Sequence, residues 1–275
     1  MSIVHFLRLI CKEKKAILKN MMELWDNNAK ALYHMLNGQV RLVGGCVRDY
    51  LLGKDFTDRD MATPLPPDEV IRLLEKNHIS HVDIGKDFGT IIAKVKGTPF
   101  EITTLRKDIQ TDGRHAVVTW TKLWHVDAKR RDFTINALYA DINGKIWDYV
   151  GGINDLTKGQ LKFIGAPEQR IKEDFLRILR YFRFFALMNI KKIPPDTLSA
   201  LQNQKEGLAQ LSMDRRRDEM FKILKAPTPH RTLKIMQQAG ILTPALTQII
   251  FSKKQKLYFK KHEMEKMLAT FQFLV

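Results

Sequence analysis

Val43-Gly44-Gly45-Cys46-Val47-Arg48-Asp49, then Leu51-Leu52-Gly53, then Thr57-Asp58-Arg59-Asp60-Met61-Ala62-Thr63, is the segment on which the architecture turns. A short apolar strand, Val40–Val43, runs into two glycines and then a helix. Glycines let a triphosphate approach the backbone, whose N–H groups at a helix start attract anions. Arg48 falls in the first helical turn, placed to reach a phosphate. Asp58 and Asp60 stand two apart on an expected strand, Asp58–Ala62, so their side chains leave on one face. Neighbouring carboxylates repel unless a cation lies between them, and oxygen ligands with partial hydration suit Mg2+. Two such ions would activate an attacking hydroxyl and stabilise a leaving pyrophosphate. A glycine pair alone also suits a tight turn, and an aspartate pair a solvated loop. Together, at this distance, they favour the nucleotide and metal reading.

Working outward, Met21–Leu36 reads as an amphipathic helix with Leu24, Ala31, Leu32 and Met35 on its apolar side, ended by Gly38. Further strand-like runs are Ile91–Val95, Phe100–Thr104, Ala116–Trp120, Ala137–Asp141 and Lys145–Tyr149, and a helical pattern, Asp68–Glu75, follows Pro66-Pro67. After Gly151-Gly152 the strand runs cease and helical period dominates, punctuated by prolines near helix starts. The expected fold class is therefore α+β: a mixed-sheet head followed by an all-helical remainder. The expected divisions are an N-terminal helical segment at 1–37, a head at 38–150, a helical neck at 151–225 and a short helical tail at 226–275.

Later segments carry further polar patterns. In Phe100-Glu101-Ile102-Thr103-Thr104-Leu105-Arg106, the alternation sends Phe100 and Ile102 to a core and Glu101 and Thr103 to the other face. Read from the pattern alone, Glu101 is a salt-bridge partner of Arg106 or Lys107. Asp112-Gly113-Arg114-His115 is a polar hairpin loop. In Asp127-Ala128-Lys129-Arg130-Arg131-Asp132-Phe133-Thr134-Ile135-Asn136-Ala137-Leu138, a guanidinium at Arg131 suits bidentate phosphate binding. Asp132 and Asn136, four apart, face one side of a helical turn and could hold ribose hydroxyls. From Arg170 to Phe184 a helix places Asp174, Arg177 and Arg180 on one face, with Phe175, Ile178, Leu179 and Phe182 opposite. A plain i,i+3 ion pair is the bland alternative there. Ser212 is a helix cap for a segment carrying Arg215 and Glu219 at i,i+4.

Taken in order over about residues 40 to 225, these blocks resemble the class II tRNA nucleotidyltransferases and bacterial poly(A) polymerases, within the DNA polymerase beta-like nucleotidyltransferase superfamily. The resemblance implies template-independent addition of CCA to tRNA 3′ ends from CTP and ATP, with Asp58 and Asp60 holding two Mg2+ ions. It sets Glu101 beside them as a candidate third catalytic carboxylate, to take the proton of the RNA 3′ hydroxyl or complete the metal shell, and lines the nucleotide site with Gly44, Gly45, Arg48, Arg131, Asp132 and Asn136. It assigns Asp174 and Arg177, with Arg180 following, to the base edge of the incoming nucleotide. Aspartate accepts from the exocyclic amine of C or A, arginine donates to the neighbouring ring nitrogen, and such sites reject analogues better than apolar pockets do. It makes the loop with Asp112 and Arg114 matter for A addition, and makes Arg215 and Glu219 braces for the neck. Asp214 stands where the family has Glu.

The charge balance agrees: 46 Lys+Arg against 30 Asp+Glu, net +16, favours a polyanionic partner. Two cysteines are too few for a disulfide scaffold or a four-cysteine zinc site, so a reducing cytoplasm is expected. No apolar run approaches the ~20 residues of a membrane helix, and nothing supports a membrane partner. Family members carry a longer helical body than residues up to Val275 provide. The shortfall is expected to mean a truncated product, a reduced RNA grip or a partner subunit supplying the body. Poly(A) polymerase, partial A or CC addition, and a non-catalytic RNA-binding relative are the alternative functions.

Overall fold

The computed structural model describes residues 24–85, 89–111 and 116–246. They fall into two compact units, one holding the described residues up to 110 together with 116–154, the other 111 and 155–246.

The first unit is built on a seven-stranded mixed sheet. Its strands are β1 (Arg41–Val43), β2 (Met61–Thr63), β3 (Ser80–Gly85), β4 (Thr90–Val95), β5 (Thr98–Thr104), β8 (Leu138–Ala140) and β9 (Ile146–Asp148), in the order β3-β4-β5-β2-β1-β8-β9. β6 (Arg106–Thr111) and β7 (Ala116–Trp120) pair as a separate ribbon. Only β2 and β5 run parallel; the other neighbours of the large sheet are antiparallel.

Register assigns the faces. Leu42 pairs Met61, Met61 pairs Ile102, and Ile102 pairs Ile91, so these four share one face and are fully buried. The Pro67–Lys76 helix packs on β3 and β4 with Val70, Leu73 and Leu74 buried. The opposite face carries Arg41, Ala62 and Thr103 in one paired row and Val43, Tyr139 and Trp147 in another. Alternation adds Glu101 and Tyr149 to that face.

Where the expected elements differ, a local reason is visible. The N-terminal helix is Asn27–Met35, started by Asp26, which accepts from the Ala29 N–H at 2.8 Å. Its buried residues are Ala29 and Leu32, with Leu24, Trp25 and Leu36 buried just beyond its ends, while Ala31 and Met35 are half-buried. The strands Ser80–Gly85 and Arg106–Thr111 escape the sequence pattern. The first has Val82 and Ile84 more than half exposed at a sheet edge, without the alternation a half-buried strand shows.

The second unit is helical, as expected. Its longest helices, Leu176–Leu187 and Met213–Leu224, pack together over Ile178, Leu179, Phe182, Met220 and Ile223. Ser212 caps the second of these, accepting from the Arg215 N–H. No described helix is long and apolar enough to cross a membrane.

Asp148, at the end of β9, accepts backbone N–H groups from Val150, Gly151, Gly152 and Ile153 at 2.9–3.1 Å. That turn presses Gly152 onto the Thr134 carbonyl, where an added β-carbon would lie 2.2 Å from the oxygen. Backbone cannot yield as a flexible side chain can. Gly152→Ala is therefore expected to cost about 1–3 kcal/mol or more, a fall in melting temperature of several degrees. An unchanged thermal transition would refute the tight contact.

Candidate active site

The carboxylate segment departs from the expected strand. β2 begins at Met61, and Asp58 and Asp60 lie in the loop before it. The ladder is cut short because Arg59 is pulled away: its Nε donates to the Leu24 carbonyl at 3.1 Å and its guanidinium pairs with Asp26 at 3.2 Å. The Asp60 carbonyl still accepts from the Val43 N–H at 2.9 Å, so the segment stays tied to β1. Asp58 and Asp60 remain close enough for the charge of one to raise the other.

The Asp60 carboxyl is held above its ordinary value, first by desolvation and then by Asp58, against the lowering influence of Arg131. Glu101 is raised in the same way, by desolvation and by the charge of Asp60, again opposed by Arg131. Asp58, Asp60 and Glu101 thus form a run of coupled negative groups with one guanidinium facing it. No expected pair of Glu101 with Arg106 or Lys107 is found; Arg106 lies beside Asp108 at 3.5 Å. The Cys46 thiol, buried beneath this loop, is pushed up to about 12 by burial and by Asp60.

Among the described residues, no three His, Cys, Asp or Glu side chains converge into a group that could hold a metal ion. Asp58 and Asp60 fit a divalent cation even so. Their mutual repulsion is what such an ion relieves, and Mg2+ typically takes one or two carboxylates and fills its shell with substrate phosphates and water.

Gly44 adopts φ +77°, a conformation favouring glycine, between β1 and the seven-residue Gly45–Leu51 helix. Arg48 does not reach outward from that helix as expected. It is buried, its Nε and second terminal nitrogen chelated by Asp49 at 2.9 and 2.7 Å, while its other terminal nitrogen donates to Asn136 Oδ1 at 2.7 Å. Asn136 Nδ2 in turn donates to Asp132 Oδ1 at 3.3 Å, and that oxygen also accepts the Phe133 N–H at 2.8 Å. A buried chain Asp49–Arg48–Asn136–Asp132 therefore braces the glycine turn against the Thr134–Asn136 3-10 turn. Asp132 and Asn136 do share one side, as their spacing implied, but they face each other. Phe133, Ile135 and Leu138 are fully buried.

Arg131 is anchored by Asp127, a residue that sequence reasoning passed over. The Asp127 carboxylate is almost fully enclosed. It accepts from Arg130 at 2.7–2.8 Å, from Arg131 at 3.1 Å and from the Tyr139 hydroxyl at 2.7 Å. Burial alone would raise its carboxyl, but Arg131, Arg130 and the Tyr139 hydroxyl outweigh it and hold it at about 2. The only sequence signal was its i,i+3 and i,i+4 spacing to Arg130 and Arg131.

In the second unit, the expected continuous helix breaks at Asp174, whose backbone is extended (φ −158°, ψ 107°) between helices Pro167–Glu173 and Leu176–Leu187. Asp174 and Arg177 do not pair. Both Asp174 oxygens accept from one Arg215 nitrogen at 2.9–3.1 Å, and one Asp174 oxygen also accepts the Leu176 N–H. Arg177 donates through a single terminal nitrogen to Glu173 and to the Arg170 carbonyl, both at 2.6 Å. Glu173, also paired with Arg170, is the second anchoring residue that the sequence pattern left unmarked. Arg180 lies over the Phe184 ring at 5.6 Å. Glu219, buried, pairs with Arg183 at 3.3 Å and Lys222 at 2.8 Å. Asp112 and Arg114 lie outside the described residues, as do 1–23 and 247–275.

Comparison with known proteins gives a consistent set of likenesses. Residues 40–162 match the family described as "Poly A polymerase head domain", and residues 192–250 that described as "Probable RNA and SrmB- binding site of polymerase A". The mitochondrial CCA tRNA nucleotidyltransferase 1 of Danio rerio is 39% identical over 206 residues, covering 74% of this chain and 48% of that protein. The CCA-adding enzyme of Bacillus pumilus is 38% identical over 200 residues, 72% of this chain and 49% of its own. The structure of the Bacillus stearothermophilus CCA-adding enzyme in complex with CTP superposes with a TM-score of 0.70 at 33% identity, covering 78% of this chain and 52% of that one. The chain spans about half the length of the curated relatives it matches.

The Asp127 carboxyl, depressed from 3.8 to about 2, contributes stability present above pH ~4 and lost as pH falls toward 2. That contribution is on the order of 2 kcal/mol. Asp127→Asn should lower stability at neutral pH and flatten its dependence between pH 4 and 2, measured by denaturant unfolding across that range. A variant with the wild-type acid profile would show that Asp127 is not the group titrating there.

Proposed function

The chain belongs to the class II tRNA nucleotidyltransferase and bacterial poly(A) polymerase family, and we propose that it adds C and A residues to the 3′ end of tRNA from CTP and ATP without a nucleic-acid template. The observation that carries this reading is the coupled run of Asp58, Asp60 and Glu101 facing Arg131, beside the Gly44 turn.

Asp58 and Asp60 are the residues that would hold divalent cations, Mg2+ being the ion their oxygens suit. When bound, the metal supplies charge neutralisation on the phosphates and favours ionisation of the RNA 3′ hydroxyl. Glu101, with its proton affinity raised, is suited to accept that hydroxyl's proton. Arg131 places a guanidinium, fixed by Asp127 and Tyr139, where a triphosphate would need positive charge. Arg48 contributes by holding Asn136 and the glycine turn in place rather than by touching phosphate.

Base selection is assigned to Asp174 and Arg177. Arg177 is pinned by one nitrogen, and its Nε and second terminal nitrogen have no hydrogen-bond partner among the described residues, so two parallel donors remain for a base edge. Arg215 fixes the Asp174 carboxylate as the matching acceptor. An acceptor and a donor pair recognise the amine and ring nitrogen shared by C and A.

The test is incubation of the purified chain with tRNA lacking its CCA end and each labelled nucleoside triphosphate in turn. Incorporation of C and then A supports the reading, and A addition to unrelated RNA would replace it with poly(A) synthesis. Asp58→Ala or Asp60→Ala should reduce incorporation by roughly 100- to 1,000-fold, the scale expected when transition-state charge stabilisation is removed, with RNA affinity nearly unchanged. Full activity in either would remove the metal assignment. Asp174→Ala should admit UTP and GTP before it loses all turnover; continued exclusion of both would reassign base selection elsewhere.

A further inference from the structure

We propose that the β1–β9 flank of the first unit, built from Arg41, Trp124, Lys145, Trp147 and Tyr149, is a second RNA contact that grips the phosphodiester backbone of the substrate. It rests on the reading of RNA as substrate and lies outside residues 192–250, the segment matched to an RNA-binding family.

Arg41 lies between two indoles, its guanidinium carbon 4.1 Å from the Trp124 ring centroid and 4.2 Å from that of Trp147. One terminal nitrogen donates to the Tyr149 hydroxyl at 3.0 Å. Lys145 Nζ stands 3.8 Å from the Trp147 centroid, and Trp147 and Tyr149 stack at 6.4 Å with 20° between their planes. Two cations are thus ordered on an aromatic wall before any ligand arrives, which removes the side-chain ordering cost from binding. A guanidinium gripped on its faces keeps its in-plane N–H donors at the rim, the edge that recognises phosphate.

Charge balance sets Arg41 apart from the other described arginines of this unit. Arg48, Arg59, Arg130 and Arg131 each have a carboxylate partner in this unit. Neither Arg41 nor Lys145 has one among the described residues. The two carboxylates nearest in sequence are committed elsewhere. Asp141 accepts the Trp147 indole N–H at 3.0 Å and the N–H groups of Asn143 and Lys145, and Asp148 accepts the four N–H groups of the following turn. Cations interleaved with aromatics and left un-neutralised are the make-up of surfaces that track single-stranded nucleic acid. The register also sets Arg41, Trp147 and Tyr149 on the sheet face that carries Glu101, so a strand bound at the carboxylates has a phosphate grip farther along the same face.

The experiment measures affinity of the full chain for tRNA lacking its CCA end, and for a short single-stranded RNA, over a salt series. Wild type, Lys145→Glu, Arg41→Gln and Arg41→Lys are compared, with CTP binding as control. Lys145→Glu and Arg41→Gln are each expected to weaken RNA binding about three- to tenfold. The slope of log K against log salt should become shallower by roughly 0.7–0.9 per lost contact. CTP affinity should stay unchanged, and Arg41→Lys should recover part of the loss. RNA binding should also change tryptophan emission in wild type. Wild-type RNA affinity and salt slope in Lys145→Glu would overturn the proposal, whatever Arg41→Gln does. Lys145 is exposed, so that variant decides the matter even where Arg41→Gln unfolds. A wild-type chain that adds no nucleotide to any RNA defeats the functional reading itself. Normal addition by variants with unaltered RNA binding defeats only this contact.

Discussion

Three acidic side chains cannot be gathered at one end of a sheet without something to offset their repulsion, and Arg131 is the residue that does so. Its charge lowers the proton affinity of both Asp60 and Glu101, against desolvation and against the charges of Asp58 on Asp60 and of Asp60 on Glu101. Arg131 can stand there only because Asp127 and Tyr139 hold it from behind. A guanidinium buried without such a partner would cost several kcal/mol. This end of the sheet is therefore a layered arrangement: coupled carboxylates, then a cation, then an enclosed carboxylate closing the charge balance. Arg106, desolvated and then crowded by Arg130 on the same cluster, is lowered to about 10.

The second unit solves a related problem by similar means. Asp174 and Arg177 are oppositely charged and three residues apart, and in a continuous helix they would neutralise each other. Breaking the helix at Asp174 prevents that. Arg215 takes the aspartate from one side, and Glu173 takes the arginine from the other. Each group keeps its orientation while its remaining hydrogen-bonding capacity stays uncommitted to the other. Gly207 packs where a β-carbon would strike the Phe175 ring at 2.1 Å, which fixes the residue immediately after the break.

Much of this was legible in the sequence because it is local. The alternation in Phe100–Thr104 and the turn at Gly44-Gly45 report geometry set within a few residues. So does the change of period after Gly152. The misreadings share a cause, tertiary partners overriding local pattern. Arg59 is drawn to Asp26 and shortens β2. Arg48 is drawn inward by Asn136, eighty-eight residues away. Asp174 is drawn to Arg215, forty-one residues away. The anchors Asp127 and Glu173 were passed over because a carboxylate beside arginines on a helix usually means a solvated ion pair. What distinguishes them is enclosure for Asp127 and, for Glu173, two arginines converging on one carboxylate, and both are properties of the fold.

The same distinction governs the net charge. A total of +16 implies a polyanionic partner but places it nowhere. Once the structure assigns partners, many arginines of the first unit prove to be internal, their charge answered by Asp49, Asp26 or Asp127. The excess must then reside on cations whose neighbours are not acids. Arg41 and Lys145 are of that kind, and what restrains them is aromatic. A cation neutralised by a carboxylate must lose that partner to bind phosphate, whereas one held by a π face loses nothing, since the face contact and the in-plane donors are used independently. Aromatic anchoring therefore gives rigidity without cancelling charge, and it marks where on a basic protein the positive potential remains available to a ligand.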